Sequence, residues 1–424
     1  METLTPDTNQ RDKHFPFNFV VNVADGGAFG FALGFASFST ILPLFVSSMT
    51  DSAILIGLIP GIHVLGWQLP QLFVAHSVSQ RKRYKPMVLL LTIQERLPFL
   101  ALAAVAWFLP SMEHKVALLL TFLLLTWQAV GGGFAATAWQ SMIGKIVPGN
   151  RWGIFYGTQA AAASLFASIS AVLAGLILER VDSPLDFTLC FLITATGMVV
   201  SYFFLSLTRE EESKPSEVAA SHVHFWRNIF DILKNDNNFR WFLVVRVLAQ
   251  VATVSFSFYT VYAVRFLGVS EVMVGLMTSV LTVVQTVANP IMGWLGDRWI
   301  HRGVMIIGIS SAVLSAIVAW CSHGAGWFFL VFALAGIANV GVWTISMTLT
   351  LEFGTDSERP AYIGLANTLV APTAFIVPLL GGVLADTYGY PSTFITSVFG
   401  GVATILVLAF LLRSPKEYGR NTET

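Results

Sequence analysis

Twelve apolar stretches follow one another along the 424-residue chain, each about as long as a membrane is thick. A helix needs about 20 mainly apolar residues to cross the hydrocarbon core of a bilayer. On that measure the spans are 17–46, 53–75, 87–110, 116–143, 153–178 and 186–206, then 239–266, 272–296, 304–323, 327–351, 361–385 and 392–412. Only 11% of residues are charged, against roughly 25% in soluble domains. A lipid bilayer is the surrounding that suits such a chain. Within it each segment must satisfy its own backbone, which a helix does. The expected fold is therefore all-α and integral to the membrane. The net charge is zero, so nothing argues for nucleic acid as a partner.

The first fifteen residues are mostly polar, and about thirty apolar ones follow. A secretory signal has an apolar core of only roughly 7–15 residues, so the first span reads as retained. The two cysteines, Cys190 and Cys321, fall in or beside apolar stretches and read as packing residues.

Loop charges give the orientation. With the N-terminus inside, nineteen Lys and Arg fall on inside segments and three outside (Lys115, Arg180 and the borderline Arg265), while Arg96 and Arg246 lie within spans. That asymmetry predicts cytoplasmic termini. The chain then divides into a tail (1–16), a six-helix bundle (17–206), a linker (207–238), a second six-helix bundle (239–412) and a tail (413–424). The linker ends near Phe225-Trp226-Arg227-Asn228-Ile229-Phe230-Asp231-Ile232-Leu233-Lys234, which reads as an amphipathic helix at the membrane surface. Each half has a basic loop after its second span and an arginine loop after its fourth, at Arg151 and Arg359. This is the pattern of a duplicated unit.

One loop narrows the class. Gly293-Trp294-Leu295-Gly296-Asp297-Arg298 follows the eighth span and resembles the G-x-x-x-D-R-x-G-R motif of the major facilitator superfamily, with Ile300 and His301 in place of the last glycine and arginine. Pro148-Gly149-Asn150-Arg151 and Asp356-Ser357-Glu358-Arg359 are similar to that family's turns before the fifth and eleventh spans. In the first half, Gln71-Leu72-Phe73-Val74-Ala75-His76 stands where the motif is expected and does not match it. The resemblance implies twelve helices in two pseudo-repeat halves and transport by alternating access. It also implies a gating cluster of Gly293, Asp297, Arg298, Glu352 and Arg359. Asp297 would cap a neighbouring helix and Arg298 would reach Glu352. Sugar-porter and drug-antiporter signatures are missing or partial, so the subfamily stays open.

Charges at membrane depth are costly and are functional candidates by default. Asp25, Glu95, Arg96 and Arg246 lie about seven to nine residues into spans that enter from the cytoplasm, a depth of roughly 10–14 Å at the rise of a helix. They form one layer. Glu95 and Arg96 are consecutive, so they point to different neighbours. Asp25 is expected to pair with Arg96, leaving Glu95 and Arg246 for the cavity or for other partners. Asp25 and Glu95 are the proton-coupling candidates. Arg96 and Arg246 are the charge partners, Arg246 also a candidate for an anionic substrate group.

By the resemblance, the first, fourth, seventh and tenth spans line the substrate cavity. The candidates on them are Asn22, Trp127, Gln128, Gln250, Tyr259, Asn339 and Trp343. Trp127 and Gln128 are consecutive, so at most one faces inward. Hydrolase, metal-ligand and nucleotide-loop patterns are missing from the sequence, so an enzyme, a cofactor and a bound metal are not expected. The expectation is a monomeric, proton-coupled carrier of a small organic solute in the plasma (inner) membrane. Two rivals stay open: a uniporter, and a receptor or lipid-handling protein without net transport.

Overall fold

The computed structural model describes residues 6–212 and 222–413, and these form helices and turns without a strand. Parts of the expected tails and linker (1–5, 213–221 and 414–424) lie outside that range. Eleven helices or broken helices among the described residues are long and apolar enough to cross a membrane. The helix α1 (Pro6–Phe35) makes the twelfth. It starts inside the expected N-terminal tail.

Several spans are not single helices. The first is α1, a turn, and then α2 (Ile41–Ser47). The second is α3 (Ala53–Gln68) and α4 (Gln71–Ser79), broken at Pro70, whose ring supplies no N–H to continue the ladder. Next come α5 (Lys85–Phe108), α6 (His114–Ile146), α7 (Trp152–Arg180) and α8 (Leu185–Ser206). The linker contributes α9 (His222–Asn235), which buries Ile229 and Ile232 and exposes Phe230, the two-faced arrangement its sequence predicts. The seventh span is α10 (Asn237–Ala252) and α11 (Phe256–Leu267). Then follow α12 (Glu271–Arg298) and α13 (His301–Cys321). The tenth span is α14 (Trp327–Val340), a π turn over Gly341–Ile345, and α15 (Ser346–Thr350). The last two are α16 (Arg359–Tyr388) and α17 (Pro391–Phe410).

The helices put apolar side chains on their outsides. The central window of α7 has a mean hydropathy of 2.2, yet only 11% of it is buried. Water would not tolerate so much open apolar surface; lipid does.

Two compact units result. One is residues 1–148, 162–219 and 356–371, with a core around Phe45, Phe99, Leu102 and Phe191. The other is 149–161, 220–355 and 372–424, with a core around Tyr259, Phe328 and Phe394. They depart from the expected halves at two helices. The start of α7 groups with the second unit, and the start of α16 groups with the first.

The duplication is written in hydrogen bonds. In the first unit, the Asn18 amide donates to the Arg209 carbonyl (2.9 Å) and accepts from the Arg209 N–H (2.8 Å). In the second, Asn238 does the same with Arg413, at 2.8 Å in each direction. Each clasp ties the first span of a six-helix half to the chain just past its last span, where helix carbonyls have run out of internal partners.

Candidate functional site

The membrane-depth charges of the first unit meet where α1, α5 and α8 pack together. Arg96 on α5 is the hub. Its guanidinium donates to the Ser201 hydroxyl (2.9 Å), to the Met198 carbonyl (3.2 Å) and to the Thr92 carbonyl one turn back (3.2 Å). The Ser201 hydroxyl in turn donates to Asp25 Oδ1 at 2.6 Å. Asp25 Oδ1 stands 3.8 Å from Arg96 Nη2, so the expected Asp25–Arg96 pair is present and Ser201 bridges it. The rings of Phe29 and Tyr202 flank the guanidinium, at 5.7 and 5.9 Å.

Glu95, expected to point away from Arg96 and find a different neighbour, shares the same cation instead, because both flexible side chains bend toward each other. Its Oε2 lies 3.8 Å from Arg96 Nη1. Two carboxylates thus surround one guanidinium, and all three side chains are about nine-tenths buried. Arg246 is also buried, on α10 of the second unit.

The expected cavity residues divide. Gln128 is buried with Oε1 3.4 Å from His63 Nδ1, and the His63 ring stacks on Phe38 at 3.9 Å. Trp127, its neighbour, turns the other way. Its indole N–H donates to Gln94 (2.9 Å), and it shares an exposed stripe with Leu119 and Leu123 on α6 and with Leu90 and Leu97 on α5. A 100° step between consecutive residues separates the two. Tyr259 is a core residue: its hydroxyl is hydrogen-bonded to Ser255 (2.9 Å) and Ser315 (3.1 Å), and Phe256, Phe328, Phe332 and Phe394 surround its ring. Asn22 is fully buried and donates to the Asn18 carbonyl and to Thr208, fixing α1 against the end of α8. Gln250 and Asn339 are half-buried. Trp343 sits on the π turn and is 38% exposed; such turns often mark functional positions.

The residues expected to form a gating cluster divide: Gly293, Asp297 and Glu352 come together, and Arg298 and Arg359 lie elsewhere. Asp297 caps the start of α7 as expected, accepting from the Gly153 and Ile154 N–H groups at 2.8 and 2.7 Å. Gly293 allows it. A Cβ there, or on Gly153, would collide with the other glycine's main chain. Arg298 does not reach Glu352; its guanidinium lies over the Trp294 ring, 4.7 Å from the centroid. His301 takes that place. It is fully buried, with Nδ1 2.6 Å from Glu352 Oε1 and Nε2 3.4 Å from Asp297 Oδ1. Arg298 ends α12 on an exposed edge, whereas His301 opens α13 one turn further on and faces inward. Arg359 belongs to the first unit, where it pairs with Asp356 (2.8 Å) and packs on Gly144. Burial pushes the nearby Tyr84 phenol up to about 12, and Arg359 partly opposes that rise.

The corresponding corner of the first unit is built from residues the sequence reading did not single out. Glu210 accepts from the Tyr84 and Lys85 N–H groups at the start of α5 (2.8 and 2.6 Å) and from Lys145 at the end of α6 (2.9 Å). In the same unit Asn367 of α16 donates to Gln71 of α4 (2.7 Å), and the Leu72 N–H donates to Thr368 (3.1 Å).

These features agree with what the chain is similar to. The family model of the Major Facilitator Superfamily matches residues 27–266 and 252–424. An MFS-type transporter of Bacillus subtilis, YttB, is 21% identical over 302 residues, 69% of this chain and 73% of its own length. Dipeptide and tripeptide permease A of Escherichia coli is 30% identical over 165 residues, 38% of this chain; the match spans about a third (33%) of that relative's length. Among solved structures, the fucose:proton symporter FucP of E. coli superposes with a TM-score of 0.72 at 15% identity, covering 93% of this chain and 98% of FucP. The proton:xylose symporter XylE gives 0.72 at 15%, covering 95% and 96%. The chain belongs to the Major Facilitator Superfamily, a family of multi-pass membrane transporters, and has its twelve-helix fold.

Proposed function

We propose that the protein is a secondary active transporter that carries a small organic solute across the plasma (inner) membrane by alternating access. Proton uptake and release at Asp25 and Glu95 would drive it. The observation that carries this reading is the pair of buried carboxylates around the Arg96 guanidinium. Each charge costs roughly 2.5–3.5 kcal/mol at mid-membrane on insertion scales, and two carboxylates to one cation leave a charge that a proton can cancel. Separating the pairs would raise the affinity for that proton and remaking them would lower it. Two of the structural relatives are proton symporters by name, which supports the coupling.

Both termini are cytoplasmic in this reading, from the loop charges. The Asp297 cap then holds α12 to the cytoplasmic start of α7, His301–Glu352 holds α13 to the cytoplasmic end of the tenth span, and Gln71–Asn367 holds α4 to α16. A second reading is a facilitative uniporter; it draws on how fully Ser201 and Arg96 satisfy Asp25. A thermal-shift screen of the wild type and Asp25→Asn against a solute library at two pH values separates the two. A bound solute raises the melting temperature. Proton linkage predicts pH-dependent stabilisation that Asp25→Asn abolishes. Equal stabilisation at both pH values and in the variant moves the uniporter ahead.

A further inference from the structure

The three consecutive glycines of α6 meet two different kinds of neighbour. A Cβ on Gly131 would stand 2.7 Å from the Gln94 carbonyl carbon and 2.8 Å from its oxygen. A Cβ on Gly133 would stand 2.5 Å from the Gly66 carbonyl oxygen and 2.8 Å from that of Trp67. Those atoms are main chain of α5 and α3, and they can retreat only if helices move apart. Gly131 and Gly133 therefore serve close helix packing. Gly132 differs. A Cβ there would meet Glu95 Oε1 at 2.8 Å, Glu95 Cδ at 3.1 Å and Trp67 Cδ1 at 3.3 Å. All three are side-chain atoms, and the first two end a flexible side chain that can swing away.

We propose that Gly132 is a positioning residue for the Glu95 carboxyl: its bare Cα opens the place against α6 where Glu95 Oε1 sits and carries the proton of the cluster. This rests on the proton-coupled reading above. The neighbours of Glu95 favour it over Asp25 as the carrier. From its own helix, Arg96 faces it at 3.8 Å and Thr92 lies one turn back. From α1, Asp25 shares the guanidinium but also holds the Ser201 hydroxyl. From α8 the Ser201 hydroxyl, the Met198 carbonyl and the Tyr202 ring lie against Arg96. From α6 there is Gly132 and, one turn away, Gln128. From α3 there is Trp67 and, one turn away, His63, engaged with Gln128 and Phe38. The second cation that would hold both carboxylates ionised is not among these groups. Movement of α6 against α5 then changes the room at Glu95, which links helix motion to proton binding.

Infrared difference spectra of the protein in bilayer nanodiscs, taken across a pH series, read protonated carboxyls directly through their C=O stretch. Glu95→Gln defines the Glu95 contribution. Gly132→Ala is expected to melt with the wild type while its Glu95 band changes frequency and its titration midpoint moves by about one pH unit, a tenfold change in proton affinity. Adding Glu95→Asp, which shortens the side chain by one methylene, is expected to return the band toward its original midpoint. Gly131→Ala and Gly133→Ala are expected to melt well below the wild type. A Gly132→Ala band that superimposes on the wild type overturns the positioning role, with Glu95 still the proton carrier. Melting of Gly132→Ala as low as Gly131→Ala also overturns it, because packing would then explain the glycine. An unchanged titrating band in Glu95→Gln overturns both the positioning role and Glu95 as the carrier.

Discussion

In the first unit Asn18 clasps the backbone of Arg209, and in the second Asn238 clasps Arg413 by the same two hydrogen bonds, but the charges around these matching clasps have diverged. The first unit brings two carboxylates to one guanidinium at membrane depth. At the helix ends the signs are reversed. The fourth span closes with Lys145, which Glu210 meets, whereas the tenth closes toward Glu352, which His301 meets. What stays common answers a demand that every repeat faces: backbone groups at a helix end in or near lipid need partners. Carboxylates serve that demand in both units, Glu210 at the start of α5 and Asp297 at the start of α7. What differs is buried ionic chemistry, which is costly wherever it stands. The first unit holds the two-carboxylate cluster around Arg96, and the second holds a histidine between Asp297 and Glu352.

Substitutions can break or sharpen this comparison. Arg96→Met is expected to have the largest effect, because it strands Asp25 and Glu95 together. Removing one partner of a buried ion pair costs about 3–5 kcal/mol, and chemical unfolding in detergent would read it. His301→Leu comes next, at about 2 kcal/mol for the hydrogen-bonded carboxylates it abandons. Arg298→Ala should cost about 1 kcal/mol or less, the scale of an exposed cation–ring contact. The opposite order would restore Arg298 to the role its motif suggests. The clasps test what burial adds. Asn18→Ala should cost about 1–3 kcal/mol, since its site is buried. Asn238→Ala should cost about 1 kcal/mol or less, because water can replace the more exposed amide. Equal losses would show that burial does not separate the two clasps.

Most of the fold was legible in the sequence because apolar runs of membrane length leave few alternatives. The pairing of Asp25 with Arg96 was legible too, since both lie at one membrane depth and carry opposite charges. Ser201 was not. A serine in an apolar helix usually bonds its own backbone, and only the packing of α8 on α1 shows that it bridges two charges. His301 was visible only as a departure from a motif; its phase at the start of α13 gives it the part expected of Arg298. Depth and polarity could not separate Trp127 from Gln128, or distinguish Tyr259 as a packed core residue. Helix rotation decides the first, and two serine hydroxyls within reach decide the second.

The most direct test of the account is solute-evoked proton movement in reconstituted liposomes, with wild type, Asp25→Asn and Glu95→Gln measured side by side. The account predicts that a solute identified by thermal shift drives proton influx in the wild type, and that both variants bind the solute but lose the proton current. Solute uptake that proceeds equally with and without a proton gradient, in the wild type and in both variants, would contradict it.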